Sequence, residues 1–450
     1  MSLPTDEGLS GIVDPAASPS SDSAGSFLSP DRASPRVRFG VNYTPSVGWF
    51  YHWLDFNLDD TRADLDSIAD LGLDHIRLFP LWPLFQPNRT LIRPRAVDQL
   101  LSMVDAAAER GLDVSVDGLQ GHLSSFDFVP SWLRTWHRRN MFTDPVAIAA
   151  QAEYLRTLAA ALADRPNFIA MTLGNEVNQF SDAPHPDRDE ADPDSAQHWI
   201  LRLLEACDQG APGKPHTHSE YDAVWFQDGH GFTPAHASRL GAATTVHSWV
   251  FNGTAQRHGA DGAATRHLAE YLIELSKAWA IDPGRPVWLQ EVGAPAPHVP
   301  AERAADFAEA TVLNALSCEN LTAITWWCSH DVDRGLADFP ELEYSLGLLT
   351  NARKPKPIGN RVAELAARWA GQRPPAVRRT TALVVDAGDE ITAPTRATCA
   401  PGGAFYEAWV RLATDGVRAT AVLAQQVENP RHLAARGITE VIHPAEVRSS

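Results

Sequence analysis

Two glutamates stand where apolar runs of strand length end: Glu176 in Thr-Leu-Gly-Asn-Glu-Val-Asn (172–178) and Glu291 in Val-Trp-Leu-Gln-Glu-Val-Gly (287–293). Two carboxyl groups brought into one pocket can break an acetal by double displacement. One gives a proton to the leaving oxygen and the other attacks the carbon, and the pair must stand only about 5–5.5 Å apart. Asn175 precedes the first glutamate and can donate to a hydroxyl beside the reacting carbon. Glu176, as the acid, needs a proton at neutral pH, which apolar surroundings and a second carboxylate would favour. Glu291, as the nucleophile, must stay ionised, and Arg77 is the donor expected to hold it. Each carboxylate also has a plainer reading, as one half of a structural ion pair.

Further polar and aromatic groups fall at similar run ends: His122, His247 with Trp249, and Trp326 with Trp327. The histidines can hold substrate hydroxyls or carboxylates, or serve as satisfied structural residues. Neighbouring strand residues point to opposite faces, so only one of the two indoles can face inward, and Trp327 is the expected one. Glu220, Glu341 and Glu343 are rival carboxylates. His216, His218 and His247 could be imagined around zinc, but their spacing fits no metal-binding pattern, and neither metal nor cofactor is expected.

What must position these groups is a repeat of short apolar runs, each followed by a longer amphipathic stretch, from Val37 to about Trp369. The runs are Arg38–Tyr43, His75–Pro80, Leu112–Leu119, Phe168–Asn175, a fifth near Thr217–Asp222, Thr244–Trp249, Pro286–Gly293 and Leu321–Ser329. The stretches between them, such as Asp59–Leu71 and Ala301–Cys318, carry apolar residues three and four apart, as helices do. The alternation predicts an α/β fold, a (β/α)8 TIM barrel over residues 36–371, with functional side chains at the C-terminal ends of its strands. Residues 1–35, rich in Ser, Pro, Ala, Asp and Gly, read as a disordered tail. Residues 372–450 read as a small β-rich C-terminal module after a Gln-Arg-Pro-Pro hinge (372–375), with strands at Thr381–Val385, Phe405–Leu412 and Ala419–Ala424.

Composition narrows the partners. A formal charge of −18 disfavours nucleic acid and anionic membrane, both of which need clustered Lys and Arg. Fourteen Trp would offer faces for sugar rings, with about half expected in the core. The four cysteines, Cys207, Cys318, Cys328 and Cys399, show no paired spacing and read as reduced thiols. The N-terminus has neither a basic nor an apolar leader region, so a cytoplasmic protein is expected.

Asn175-Glu176 after the fourth run, Glu291 after the seventh, Arg77, His247 and a terminal Trp together resemble clan A of the retaining glycoside hydrolases, and within it glycoside hydrolase family 5. The resemblance spans about residues 37 to 370. It implies a barrel in which Glu176 is acid/base and Glu291 nucleophile, acting without a metal on a small oligosaccharide. The family usually carries Tyr two residues after the strand-six His, where this chain has Trp249, so the phenol could be missing or come from Tyr221 or Tyr43. The stretches Phe39–Phe50 and Arg77–Asn88 resemble the bacterial exo-β-mannosidase subgroup. An endo-β-mannanase or β-glucanase, a transglycosidase and a catalytically silent sugar-binding barrel are the alternatives.

Overall fold

The computed structural model describes residues 36–369 and 375–447. The expected tail (1–35), the boundary at 371 and 372, and all of the expected hinge but Pro375 lie outside the described residues. Seven parallel strands form one curled sheet: β1 Arg38–Asn42, β2 His75–Leu78, β3 Asp113–Leu119, β4 Phe168–Gly174, β5 Thr244–Ser248, β6 Val287–Val292 and β7 Leu321–Trp326. They lie side by side in the order β4-β3-β2-β1-β7-β6-β5. The fifth apolar run fills the gap between β4 and β5. Thr217 makes a single parallel bridge to Thr172. Its N–H donates to the Met171 carbonyl at 3.0 Å, and the adjacent His216 carbonyl accepts from Ala242 N–H at 2.9 Å. The sheet thus closes as a (β/α)8 barrel whose fifth strand is one bridge long. Pro215 supplies no N–H just before it. Just after it, Ser219 turns its hydroxyl onto the Gly174 carbonyl at 3.0 Å.

The helices follow the amphipathic stretches: α1 Leu58–Ala69, α2 Pro94–Ala108, α3 Pro145–Leu162, α4 Pro193–Gly210, α5 Ala263–Ser276, α6 Ala301–Leu316 and α7 Pro357–Trp369. The side chains of Asn57, Asp144 and Asp192 accept first-turn N–H groups of α1, α3 and α4, each cap contributing about 1 kcal/mol. Low in the barrel, His75 Nε2 and Trp288 Nε1 meet the Thr325 hydroxyl at 2.8 and 2.7 Å. Gly40 makes room for that cluster, since a Cβ there would lie 2.4 Å from the His75 ring. Most of the tryptophans are core, contrary to the even split expected: only Trp136, Trp249 and Trp369 fall short of full burial.

The C-terminal residues form a second sheet of β8 Thr381–Val385, β9 Ala419–Leu423 and β10 Glu440–Ile442, ordered β9-β8-β10 and wholly parallel. The expected strand Phe405–Leu412 is instead the helix α8 Ala404–Thr414. Its buried Phe405, Tyr406, Trp409 and Val410 recur every four residues, a helical spacing that outweighs the β propensity of their side chains. α8 and its approach pack on α5, where Tyr271 donates to the Cys399 carbonyl at 2.5 Å and meets Tyr406 and Trp409 edge-on. All four cysteines are buried and none is in a disulfide. No helix among the described residues is long and apolar enough to cross a membrane.

Charge also joins the two sheets. Glu270 on α5 is fully buried and accepts from Arg379 and Arg418, each at 2.6 Å. Burial raises its carboxyl, but His267 and the two guanidinium groups outweigh this and hold it below the ordinary value. Removing one partner of a buried pair leaves the other uncompensated. Glu270→Ala is therefore expected to lower stability at pH 7 by about 3–5 kcal/mol. Because the folded carboxyl titrates below the unfolded one, its contribution is complete above about pH 4.3 and is lost as pH falls through the folded value. Denaturant melts of wild type and variant should thus converge in acid, and a constant gap would refute the assignment.

Candidate active site

The mouth of the barrel is organised around Arg77, which is fully buried near the end of β2. Its Nε and Nη2 grip both oxygens of Asp117 on β3 at 2.8 and 2.5 Å. Nη1 donates to Glu291 Oε1 at 2.7 Å and to Asn42 Oδ1 at 3.1 Å, and Nη2 reaches Asn175 Oδ1 at 2.7 Å. One guanidinium thus spans strands β1, β2, β3 and β6 and the residue after β4. Asn42 in turn donates to the Gln290 and Trp326 carbonyls at 3.1 and 3.2 Å, tying β1 to its neighbours across the mouth.

Glu176 follows the end of β4 with a φ of 48°, the left-handed region that a non-glycine residue seldom occupies. That turn starts the short helix Val177–Ser181 and brings Gln179 back to donate to Glu176 Oε2 at 2.6 Å. The other oxygen, Oε1, lies 2.7 Å from His247 Nδ1 on β5. The same Nδ1 lies 3.4 Å from Glu291 Oε2, so the imidazole sits between the two carboxylates. Donor atoms of Glu176, His247 and Glu291 all lie within 4.8 Å of one another. His247 Nε2 contacts Gln290 Oε1 at 3.2 Å, and Gln290 donates to Thr172 at 3.2 Å, which fixes the ring from below.

Trp249 Nε1 donates to Glu291 Oε2 at 3.2 Å. The indole thereby occupies the place of the phenol that the sequence left unassigned. Tyr43 is turned away, its hydroxyl on Asp64 at 2.9 Å. Gly293 permits the arrangement, because a Cβ there would sit 2.8 Å from the Trp249 ring. Trp327 lies edge-on to both Phe79 and Trp249 at the same wall. His122 is at the rim: its carbonyl accepts from Asn175 at 3.3 Å while its ring contacts Asp127 at 3.1 Å.

All eight residues singled out from the sequence (Arg77, His122, Asn175, Glu176, His247, Trp249, Glu291 and Trp327) are thus at the mouth. Asp117, Asn42, Gln290 and Gln179 were missed. An Asp in the middle of the apolar strand Asp113–Leu119 was the available signal, since a buried carboxylate requires a cation. Among the rival carboxylates, Glu220 is paired with His218, Glu341 is exposed with Arg334, and Glu343 faces the pocket rim. The imagined zinc set does not converge: His216 accepts from Met171 N–H and contacts the Ala211 carbonyl. Glu176, His247 and Glu291 are closer together, but both oxygens of Glu291 already accept from Arg77 and Trp249. Arg77 adds positive charge where a metal ion would sit. The set suits a shared proton and sugar hydroxyls better than a cation.

No protein-family model and no curated protein matches the chain. Solved structures do. A GH5_18 protein from Streptomyces cattleya, in complex with GlcNAc, is 66% identical over 92% of this chain and 100% of its own, with a TM-score of 0.91. The chain belongs to GH5_18, within glycoside hydrolase family 5. A glutamate-to-alanine variant of the Streptomyces protein is in complex with Manβ1-4GlcNAc. A GH5_18 protein from Bifidobacterium longum subsp. longum is 45% identical over 92% of this chain and 98% of its own, with a TM-score of 0.88. An exo-β-1,4-mannosidase from Opitutaceae bacterium strain TAV5, at 22% identity and a TM-score of 0.74, shares the fold. This GH5_18 chain is accordingly a glycoside hydrolase.

The charges of this GH5_18 site set its protons. Burial opposes a charge on His247, but Glu291 and Glu176 outweigh it and raise the imidazole above its ordinary value. Burial raises Glu176 too, yet His247, His122 and Gln179 together draw it below the usual carboxylate value. The raised Glu176 expected from the sequence is therefore not found. Glu291 is raised by burial and by Glu176, which His247 and Arg77 only partly offset. Arg77→Ala would leave Asp117 and Glu291 buried without their cation. An expected loss of about 3–5 kcal/mol should appear in thermal melts at pH 7, and an unchanged melting temperature would show that Arg77 holds no charge in place.

Proposed function

We propose that this chain is a retaining β-mannosidase that removes single β-mannosyl residues from the ends of short oligosaccharides, Manβ1-4GlcNAc among them, by double displacement. The observation that carries the mechanism is the pair of carboxylates whose oxygens lie within 4.8 Å across one imidazole. That spacing suits direct attack by a carboxylate and leaves too little room for an intervening water. The substrate class is supported by the GH5_18 relative that holds Manβ1-4GlcNAc.

In the first step Glu291 attacks the anomeric carbon while the bond to the aglycone oxygen breaks and that oxygen takes a proton from Glu176. The proton comes to Glu176 from His247 Nδ1, 2.7 Å from Oε1. Arg77 and Trp249 hold the attacking carboxylate by one oxygen each, so its orientation needs no rearrangement during the step. In the second step water gives a proton to Glu176 as its oxygen attacks the same carbon and Glu291 leaves, and that proton passes back to His247 Nδ1.

Action at a chain end is supported by the wall on one side of the pocket. Trp49 from the loop after β1 meets Phe126 from the loop after β3 and Phe339 from the loop after β7, with ring centroids 5.6 and 4.8 Å apart. Phe126 and Phe339 close the triangle at 4.8 Å. Three loops knitted by aromatic rings on the strands' C-terminal side favour a closed end over a through-going groove.

Hydrolysis of p-nitrophenyl β-mannoside, β-glucoside and β-galactoside beside mannan polymer tests the reading. Release from the β-mannoside with little attack on polymer is expected. Internal cutting of polymer would turn the assignment to an endo-glycanase, and silence on every substrate would favour a sugar-binding barrel. Glu291→Gln should lower kcat on all glycosides by at least about 10⁴-fold with folding intact, and substantial residual turnover would refute its role as nucleophile. Glu176→Ala should cost poor leaving groups about 10²–10⁴-fold more than activated aryl mannosides, because the activated ones need no proton. Equal losses on both would remove Glu176 from the acid role.

A further inference from the structure

A third carboxyl group faces the pocket from the loop after β7. Glu343 sits in the short turn Glu341–Ser345, and its Oε2 accepts a hydrogen bond of 2.9 Å from Ser124. Ser124 stands at the tip of the small hairpin that pairs His122–Leu123 with Phe126–Asp127. Among the described residues no lysine or arginine pairs with Glu343, and no protein donor reaches its Oε1. Glu341, two residues away, behaves as an ordinary surface carboxylate, exposed and held by Arg334. A half-buried carboxyl with one hydroxyl partner keeps unused acceptor capacity. The same group is well suited to accept from a pair of vicinal hydroxyls. Burial pushes Glu343 up to about 7, with Ser124 opposing and the charge of Glu291 assisting.

Its side of the pocket follows from its neighbours. Glu343 stands on the loop after β7, the strand that pairs with β6, which carries Glu291. Asp222, held by Asn252 at 2.8 Å, lies on the loop after the fifth strand, which bridges β4, the strand that Glu176 follows. In double displacement the nucleophile bonds the glycone, and the acid faces the aglycone. Glu343 therefore lies on the glycone side, next to the wall of Trp49, Phe126 and Phe339.

We propose that Glu343, positioned by Ser124, is a recognition residue for the terminal sugar. Its free Oε1 accepts hydrogen bonds from glycone hydroxyls remote from the anomeric carbon, and its contact with Ser124 closes the pocket behind that sugar. This rests on the mannosidase reading above.

The test is steady-state kinetics of Glu343→Gln, Glu343→Ala and Ser124→Ala on p-nitrophenyl β-mannoside, with products of β-1,4-mannotriose followed in parallel. Glu343→Gln should raise KM at least tenfold with kcat changed less than threefold, and Ser124→Ala should shift KM the same way by a smaller factor. On mannotriose labelled at its reducing end, Glu343→Ala should also give unlabelled mannobiose from the non-reducing end, where wild type gives unlabelled mannose alone. A KM within twofold of wild type for Glu343→Gln, in protein with a wild-type melting temperature, overturns the proposal. So does an unchanged product pattern in a folded Glu343→Ala. The two readings fail separately, because a wild-type protein inactive on every β-mannoside sinks the activity and not the recognition. In that event calorimetry with mannobiose decides: binding that Glu343→Gln weakens tenfold supports the recognition role, and binding that it leaves unchanged removes it.

Discussion

A guanidinium buried without water must be surrounded by acceptors, and in this barrel that requirement fixes the mouth. Arg77 has no exposed surface. Its desolvation is offset only because Asp117 takes two of its N–H groups while Glu291, Asn42 and Asn175 take others. Those acceptors belong to different strands or strand ends. Satisfying one ion therefore sets the relative height of β1, β2, β3 and β6 and the exit of β4. In the low-dielectric interior these contacts are far stiffer than the same pairs would be at the surface. The position of the Glu291 carboxylate follows from the needs of a cation that is itself wholly buried.

The second carboxylate is placed by different means. Glu176 stands after the strand, in a left-handed turn, and its oxygens are held by Gln179 from its own short helix and by His247 from across the barrel. One glutamate is thus anchored by an ion and the other by neutral or titratable groups. This asymmetry suits a nucleophile fixed in place beside a carboxylate that exchanges a proton with His247. Among the described residues His247 is the group in contact with both, and the raised affinity of its ring for a proton keeps that proton between them.

Much of this was legible in the sequence because the barrel alternates in a simple way. Apolar runs that end in a polar residue mark strand ends, and the acidic, aromatic and basic residues at those ends are the ones the structure gathers. The interior was harder to read. Asp117 meets Arg77 across 40 residues, and nothing local to Ser-Val-Asp-Gly announces which cation it will find. The donor to Glu291 was sought in a phenol, whereas Trp249 supplies an indole N–H from the equivalent position. The proton affinity of Glu176 could not be read from burial alone, since it turns on a histidine 71 positions away. The helix at Ala404–Thr414 was misread because β-branched and aromatic residues there suggest a strand, and only their spacing of four reveals the buried helical face.

The cysteines have a consequence for where such a protein can work. Burial raises the thiols of Cys207, Cys318 and Cys328, and takes that of Cys399 up to about 12. A thiol that stays protonated is a poor nucleophile toward disulfides and peroxides. With all four shut away in this form, the folded chain offers no ready thiolate to disulfide exchange, whether in a reducing cell interior or an oxidising culture fluid.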